Sequence, residues 1–222
     1  MKQQTIAAFL AAVALPFSMS SAAQAAWDES TLEGIAQGLD VFWTAFTLSY
    51  ADIAYQPPDV YTYEGAGSTA CGPISVAQYC QANNAVHLDL VALGGFANDI
   101  GDSAAYVVLA HEYAHSVQYQ LGIFSSGASN AALELQADCL AGVFFSAANT
   151  VGMLEAGDVE EGFIAAYISG DFDFEAPNHH GDPTQRSSAF LGGFYDPNSC
   201  FQQMQPPSAS SSGAHGSHHE LR

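Results

Sequence analysis

The 222-residue sequence predicts a mainly helical α+β domain, with a small β-hairpin or edge strand beside a helical core. Apolar residues recur at three- and four-residue intervals in several long segments, as they do in amphipathic helices. Two short segments rich in β-branched and aromatic residues are bounded by turn signals, which is typical of strands. Hydrophobic residues make up 49% of the chain, which is enough for one sizeable core.

The first half of the chain contains one predicted helix and two predicted strands. The helix covers residues 30–50, and its apolar positions are Leu32, Ile35, Leu39, Phe42 and Phe46. A turn at Pro57-Pro58 ends the segment that follows the helix. The two strands are predicted at residues 60–63 and 86–90, with a loop between them.

Four helices are predicted in the second half. The first carries an apolar stripe formed by Ala105, Val108, Leu109, Val117 and Leu121. The second covers residues 131–142, and Asn130 is its expected N-cap. The other two cover residues 156–168 and 182–195, separated by an acidic, aromatic loop at residues 170–181.

The strongest functional signal is His111-Glu112-Tyr113-Ala114-His115, an H-E-x-x-H motif on the first of these four helices. Residues four apart lie on one face of a helix, so His111 and His115 can present two imidazole nitrogens to one zinc ion. Glu112 then lies beside the ion, where its carboxylate can take a proton from zinc-bound water. Random placement gives on the order of one such motif per hundred sequences of this composition, so the helical context adds necessary support.

The motif lacks the third protein ligand that catalytic zinc sites usually have. The metzincin pattern would place His and Gly where this chain has Leu121 and Gln118, so that class is excluded. Glu134 and Asp138 lie four apart on the next predicted helix, in a run otherwise rich in Ala and Leu. Carboxylates in apolar surroundings need a partner. We predict that Glu134 is the third ligand and that Asp138 orients one of the ligand imidazoles.

Over most of its length the chain resembles the bacterial neutral zinc metallopeptidase family of gluzincin-like HExxH peptidases. The matching blocks are Ala70-Cys71-Gly72, Tyr79-Cys80, His111-Glu112-x-x-His115-x-Val117-Gln118, Glu134-Leu135-Gln136-Ala137-Asp138-Cys139-x-Ala141-Gly142, and His180-Gly181 with Gln185-Arg186. The resemblance implies a zincin-like fold, one catalytic Zn²⁺ and a peptide or protein substrate. It also implies that His111, His115 and Glu134 are the ligands and that Glu112 is the general base.

Four residues near the C-terminus are candidates to stabilise the oxyanion that forms during hydrolysis. His180 is the preferred candidate and is predicted to be catalytic, while His179, Tyr195 and Arg186 are alternatives. For Arg186 we favour a structural pairing with a carboxylate such as Asp138, because Arg most often binds carboxylates.

The N-terminus resembles a secretory signal over residues 1–25, with Lys2, an apolar core and the small-x-small site Ala23-Gln24-Ala25. We therefore expect a secreted or periplasmic protein without a stable membrane anchor after cleavage. The metallopeptidase domain is predicted over residues 26–204. Residues 205–222 are rich in Ser, Gly and His and form a predicted disordered tail.

The four cysteines follow an export signal and are even in number, so two disulfides are expected. Three pairings are possible. We favour Cys71–Cys80, which closes a short loop, and Cys139–Cys200, which ties the helix of Glu134 to the C-terminal end of the domain.

The formal charge of −20 reflects a lack of cations, since the only basic residues are Lys2, Arg186 and Arg222. Binding to nucleic acid is disfavoured, because it depends on Lys and Arg side chains that neutralise phosphate. Attraction to an anionic membrane surface is disfavoured for the same reason. A field of this sign attracts cations and basic peptides, and it suits a saline or acidic extracellular setting.

The sequence thus predicts a secreted zinc metalloendopeptidase. Two alternatives stay open. The first is a non-catalytic periplasmic zinc-binding protein, which keeps the metal and hydrolyses nothing. The second is a hydrolase of cell-wall peptide or amide bonds, which applies the same chemistry to a different substrate.

Overall fold

Helices and a small mixed sheet make up residues 29–202, the part of the chain that the computed structural model describes. The predicted mainly helical α+β class is confirmed. The predicted signal sequence and C-terminal tail lie outside the described residues. In chain order the elements are α1 (Glu29–Ala51), β1 (Asp59–Tyr63), β2 (Ser68–Thr69), β3 (Gly72–Pro73), β4 (Ala77–Cys80), β5 (Ala85–Asp89), α2 (Leu90–Asp99), α3 (Asp102–Gln120), a 3₁₀ turn (Ile123–Ser125), α4 (Asn130–Thr150), α5 (Asp158–Ile168), α6 (Pro183–Tyr195) and α7 (Pro197–Gln202).

Several local details differ from the sequence analysis. The elements β2, β3, β4, α2 and α7 were not predicted, and α4 extends to Thr150 rather than ending at residue 142. The strand predicted over residues 86–90 ends at Asp89, because this side chain accepts the backbone N–H groups of Val91 and Ala92 and caps the unpredicted helix α2. The expected N-cap Asn130 lies inside α4. Ser129 is the cap instead, since its hydroxyl accepts the N–H of Ala132.

The main sheet has the strand order β1-β5-β4. β1 pairs with β5 in parallel, from Asp59 opposite Ala85 onwards. The two predicted strands therefore run parallel and do not form a hairpin with each other. β4, which the sequence analysis did not predict, pairs with β5 in antiparallel fashion and forms a small hairpin with it. β4 is therefore an edge strand, and a disulfide between Cys71 and Cys80 ties its end to the preceding loop.

The motif helix α3 lies at the centre of the domain, where it contacts α1, α2, α4, α5, β4 and β5. Three residues of its predicted apolar stripe, Ala105, Leu109 and Val117, are fully buried. Val108 and Leu121 are only partly buried and pack against the edge of the same core. A helix buried on most of its circumference holds its polar side chains in fixed positions, which a metal site requires.

Close packing of α4 against α6 depends on two glycines. A Cβ atom on Gly142 would lie 2.1 Å from the carbonyl oxygen of Phe190, and one on Gly193 would lie 1.8 Å from that of Cys139. Any larger residue would force the helices apart. The second disulfide, Cys139–Cys200, joins α4 to α7 next to this contact. α4 also has the length and apolar composition of a membrane span, but 67% of its apolar window is buried in the domain, as in a core helix.

Three carboxylates meet where α3 and α5 begin. Oxygens of Asp102, Asp158 and Glu161 lie within 4.8 Å of one another. Burial, and then the charge of Asp158, raise the pKa of Asp102, and burial also raises the pKa of Glu161. Within residues 29–202 the only Lys or Arg is Arg186, and its side chain contacts other carboxylates. The cluster therefore holds mutually repelling charges at neutral pH.

Replacing Asp102 with Asn is expected to stabilise the domain more near pH 8 than near pH 5. A carboxyl group whose pKa rises on folding contributes stability when protonated and loses that contribution as the pH rises through the folded-state pKa. Melting temperatures at about pH 5 and about pH 8, above the unfolded pKa of Asp, measure the difference. Asp99→Asn, at an exposed position, is the control. Equal shifts at both pH values would contradict the expectation.

Candidate metal centre

The H-E-x-x-H helix α3 and the following helix α4 bring the three predicted ligands together. Nε2 of His111 lies 3.2 Å from Oε2 of Glu134, and Nε2 of His115 lies 3.4 Å from Oε1 of the same carboxylate. One donor atom from each side chain lies within 4.8 Å of the other two. Two imidazole nitrogens and one carboxylate oxygen are a donor set that zinc prefers, so these residues fit the ion.

Hydrogen bonds fix both imidazole rings. Nδ1 of His111 lies 2.9 Å from Oδ1 of Asp138, and Nδ1 of His115 lies 2.8 Å from Oε1 of Gln118. Because each acceptor holds the hydrogen on Nδ1, each Nε2 keeps a lone pair for a metal. The structure thus places Asp138 where the sequence analysis expected it.

Gln118 was not among the predicted site residues. Its side chain is fully buried, and its amide nitrogen donates to the carbonyl of Leu133 at 2.8 Å and to Gln136 at 3.0 Å. It therefore joins the ring of His115 on α3 to the start of α4. The available signal was its position three residues after His115, because residues at i and i+3 are neighbours on a helix surface.

Arg186 on α6 contacts the carboxylate with which the sequence analysis paired it. Its Nε donates to Oδ2 of Asp138, and its Nη2 donates to Oδ1 at 3.1 Å. Its Nη1 lies 3.5 Å from Oε2 of Glu134 and donates to the carbonyl of Ser169 at 3.2 Å. This two-point geometry is the one that Arg forms best with a carboxylate. Arg186 therefore offsets the negative charge behind the site.

The site favours positive charge between its acidic groups. Burial works against charge on His111, but hydrogen bonding and the charge of Asp138, followed by those of Glu134, raise the pKa of this imidazole to about 10. Burial works against charge on Glu134 as well, yet the two histidines hold the pKa of the carboxyl group well below its usual range. A proton on His111 and a divalent cation at its Nε2 satisfy the same negative charge, so they compete.

Glu112 lies beside this group and is nearly buried. Its Oε2 accepts the backbone N–H of Tyr79 at 2.6 Å. Tyr79 belongs to the edge strand β4, so the carboxylate of the motif is held against the open edge of the sheet. One oxygen is fixed by this bond, and the other can accept a proton.

A cleft of about 1110 Å³ runs past these side chains. Its walls include Ala77 and Gln78 of β4 on one part and Phe96, Val108 and Ile168 on another. Among the four oxyanion candidates, His180 and Arg186 line the cleft, whereas His179 and Tyr195 are not among the residues that line it. The tertiary structure thus brings the preferred candidate, His180, and one of its three alternatives, Arg186, to the cleft.

Asp171, in the loop between α5 and α6, holds the histidine pair. Its carboxylate accepts the backbone N–H of His180 at 2.8 Å and lies 3.1 Å from Nδ1 of the same residue. It also contacts Nδ1 of His179. These hydrogen bonds, first from His180 and then from His179, lower the pKa of Asp171 below its usual range. No sequence pattern indicated this role of Asp171, because a loop has no fixed residue spacing.

The H-E-x-x-H helix with a glutamate on a second helix is an arrangement of zincin-type metalloproteins. The family model described as "Putative neutral zinc metallopeptidase" matches residues 14–201, and the chain belongs to this family. The family name implies zinc and a peptide or protein substrate.

Curated relatives agree with this family but carry no assigned activity. "Uncharacterized protein YpfJ" of Escherichia coli strain K12 is 35% identical over 176 residues, which cover 66% of this chain and 61% of the relative. "Uncharacterized protein Mb2605" of Mycobacterium bovis is 31% identical over 182 residues, which cover 66% of this chain and 62% of the relative. The match thus spans about three fifths of each relative. No solved structure matches the chain.

Replacing Gln118 with Met is expected to weaken zinc binding by about 10- to 100-fold, since outer hydrogen bonds to ligand imidazoles contribute that much to metal affinity. Competition with a chromophoric chelator measures the dissociation constant, and thermal unfolding verifies that the variant is folded. Gln120→Met is the matched control, because Gln120 is on the same helix and bonds to the backbone of Gln56 instead. Unchanged zinc affinity in the Gln118 variant would refute its role.

Proposed function

We propose that this protein is an exported, zinc-dependent peptidase that hydrolyses peptide bonds through a zinc-activated water. One observation carries the proposal: His111, His115 and Glu134 turn their donor atoms towards one point of a cleft wall, and Glu112 lies next to them. A structural zinc site usually has four protein ligands, whereas three ligands at an open cleft are typical of catalytic zinc.

The residues around the site have separable roles in this reaction. Zinc, when bound, polarises the scissile carbonyl and lowers the pKa of the water that it holds. Glu112 is the proposed general base, which would accept a proton from the attacking water and return it to the leaving amine. Asp138 and Gln118 hold Nδ1 of the two imidazoles and so leave both Nε2 atoms free to bind the ion. Arg186 offsets the charge of Asp138 and Glu134 and has a positioning role.

His180 is the proposed donor to the developing oxyanion. It lines the cleft, and the contact of its Nδ1 with Asp171 leaves Nε2 as the nitrogen that can face a substrate. A preorganised donor of this kind stabilises charge that forms only in the transition state. Arg186 is less suited to this task, because Asp138 already occupies its Nε and Nη2.

The edge strand β4 supports an extended peptide as the substrate. Tyr79 directs its N–H away from β5 and towards Glu112, and residues two apart on a strand share a direction. The backbone groups of Ala77 therefore face the cleft and can pair with a peptide strand that lies along it. Such pairing would align a scissile bond beside the metal ligands.

Two disulfide bonds support export of the protein. The structure contains the disulfides Cys71–Cys80 and Cys139–Cys200, the pairing that the sequence analysis favoured. Disulfides of this kind persist in oxidising compartments. Together with the signal-like residues 1–25, they support a secreted or periplasmic location.

Replacing Glu112 with Gln is expected to preserve zinc content and to abolish peptide hydrolysis, because the amide cannot accept a proton. Metal analysis and digestion of a peptide library, with and without chelator, provide the two readouts. The exposed Glu160→Gln variant is the matched control. Undiminished turnover in Glu112→Gln would refute the assigned role.

The same experiment separates the alternative functions. A wild-type protein that holds zinc but cleaves no member of the library, and no purified peptidoglycan, would favour the non-catalytic zinc-binding protein. Cleavage of peptidoglycan alone would favour the cell-wall hydrolase.

Replacing His180 with Ala is expected to lower kcat by about 100-fold or more, as loss of an oxyanion donor does. Asp171→Asn should lower kcat by a smaller factor with little change in KM, because it loosens the ring without removing it. If His180 and Asp171 had only a structural role, their variants would change in melting temperature, but the pH profile of kcat would stay that of the wild type. Ser169→Ala, at a cleft residue that bonds only its own helix through its hydroxyl, is the control. Wild-type kcat in His180→Ala would contradict the assignment.

A further inference from the structure

The loop between α5 and α6 presents two aromatic rings and two carboxylates to solvent. Phe172 and Phe174 are 71% and 60% exposed. Asp173, which lies between them in sequence, and Glu175, which follows Phe174, are also exposed. The two phenyl rings lie 6.3 Å apart. Large apolar side chains exposed side by side are a recurrent sign of a binding surface. We name residues 172–175 the acidic aromatic segment.

This segment is fixed to the rim of the cleft. The ring of Phe174 lies 5.1 Å from that of His179, and Asp171 joins His179 to His180, which lines the cleft. From the start of α4, the side chain of Asn130, which also lines the cleft, donates to the carbonyl of His179 at 3.1 Å. The segment therefore lies next to a residue of the cleft wall, within reach of a peptide that extends out of the cleft.

The negative charge of the acidic aromatic segment favours a positively charged partner. Among residues 29–202, no ion pair involves Asp173 or Glu175. The chain has only three Lys and Arg residues in total, so it supplies almost no cation of its own for these carboxylates. Phenyl faces and carboxylates together bind Lys and Arg, through cation–π contacts and ion pairing. An anionic membrane surface would be repelled by the same charges.

We propose that the acidic aromatic segment is an exosite, which binds a Lys- or Arg-containing stretch of the peptide substrate outside the cleft. The inference rests on the proposed peptidase function and adds a substrate class to it: peptides with basic residues beyond the bond that is cleaved. Phe172 and Phe174 supply the aromatic faces, and Asp173 and Glu175 supply the charge.

The test compares a short fluorogenic peptide with the same peptide extended by an Arg/Gly stretch, made separately at each end. At low salt, the wild type is expected to show a KM about three- to tenfold lower for one Arg-extended peptide, with the same kcat, as a few exposed contacts provide. The preference should shrink as NaCl is added, because salt screens exposed charges. A Gln/Gly extension should give the KM of the short peptide.

Two variants locate the effect. Phe172→Ala and the double variant D173N/E175Q should each reduce the preference for the Arg-extended peptide and leave hydrolysis of the short peptide unchanged. The controls are Leu48→Ala and Glu33→Gln, at exposed positions of α1. An equal KM for the Arg and Gln extensions in the wild type, or a preference that survives in both variants, would overturn the inference.

A binding titration keeps this inference separate from the proposed function. The zinc-loaded Glu112→Gln protein is titrated with the labelled Arg-extended peptide, with and without D173N/E175Q. Binding that depends on these two acids supports the exosite even if the wild type cleaves no peptide, and in that case only the proposed function fails. If the affinity does not depend on the two acids, or is the same for the Gln-extended peptide, the exosite is ruled out whether or not hydrolysis occurs.

Discussion

The buried ion pair between Arg186 and Asp138 is the interaction on which the site and much of the helical packing depend. Both side chains are almost fully buried, and a buried charge without a partner destabilises a protein by several kcal/mol. To bring the pair into contact, α6 must approach α4 closely, and Gly142 and Gly193 permit that approach. The same carboxylate holds the ring of His111. One pair thus links the α4–α6 contact to the geometry of the proposed metal ligands.

The charge distribution of the chain gives this pair added weight. Within residues 29–202, Arg186 is the only Lys or Arg among many acidic residues, and it is buried behind the candidate metal centre rather than exposed at the surface. The acidic groups elsewhere must therefore stay solvated, share protons or bind external cations. In the cluster of Asp102, Asp158 and Glu161, burial raises the pKa of Asp102 and of Glu161, so these two groups bind a proton more readily than they would in water. The exposed acids beside the cleft remain available to basic ligands.

Sequence patterns predicted the long helices and the approach of Glu134 to His111 and His115, because both follow from periodic spacing. A helix places residues four apart on one face, and two carboxylates in an Ala/Leu-rich run require a partner. The short elements were not predicted, because they contain too few residues to show a period. β2, β3 and β4 cover only two to four residues each, and α2 depends on a cap by Asp89. The bond from Tyr79 N–H to Glu112 was also unpredictable, since any residue carries a backbone N–H.

The sequence by itself determined the helical class, the motif helix, the chemistry of the donor set and the excess of acid over base, because these depend on residue type and local period. Only the tertiary structure decided which carboxylate faces which imidazole, that Gln118 fixes His115, and that His180 rather than Tyr195 lines the cleft. These contacts join residues from different elements. Their geometry is set by how closely helices and strands pack, which no single segment of sequence encodes.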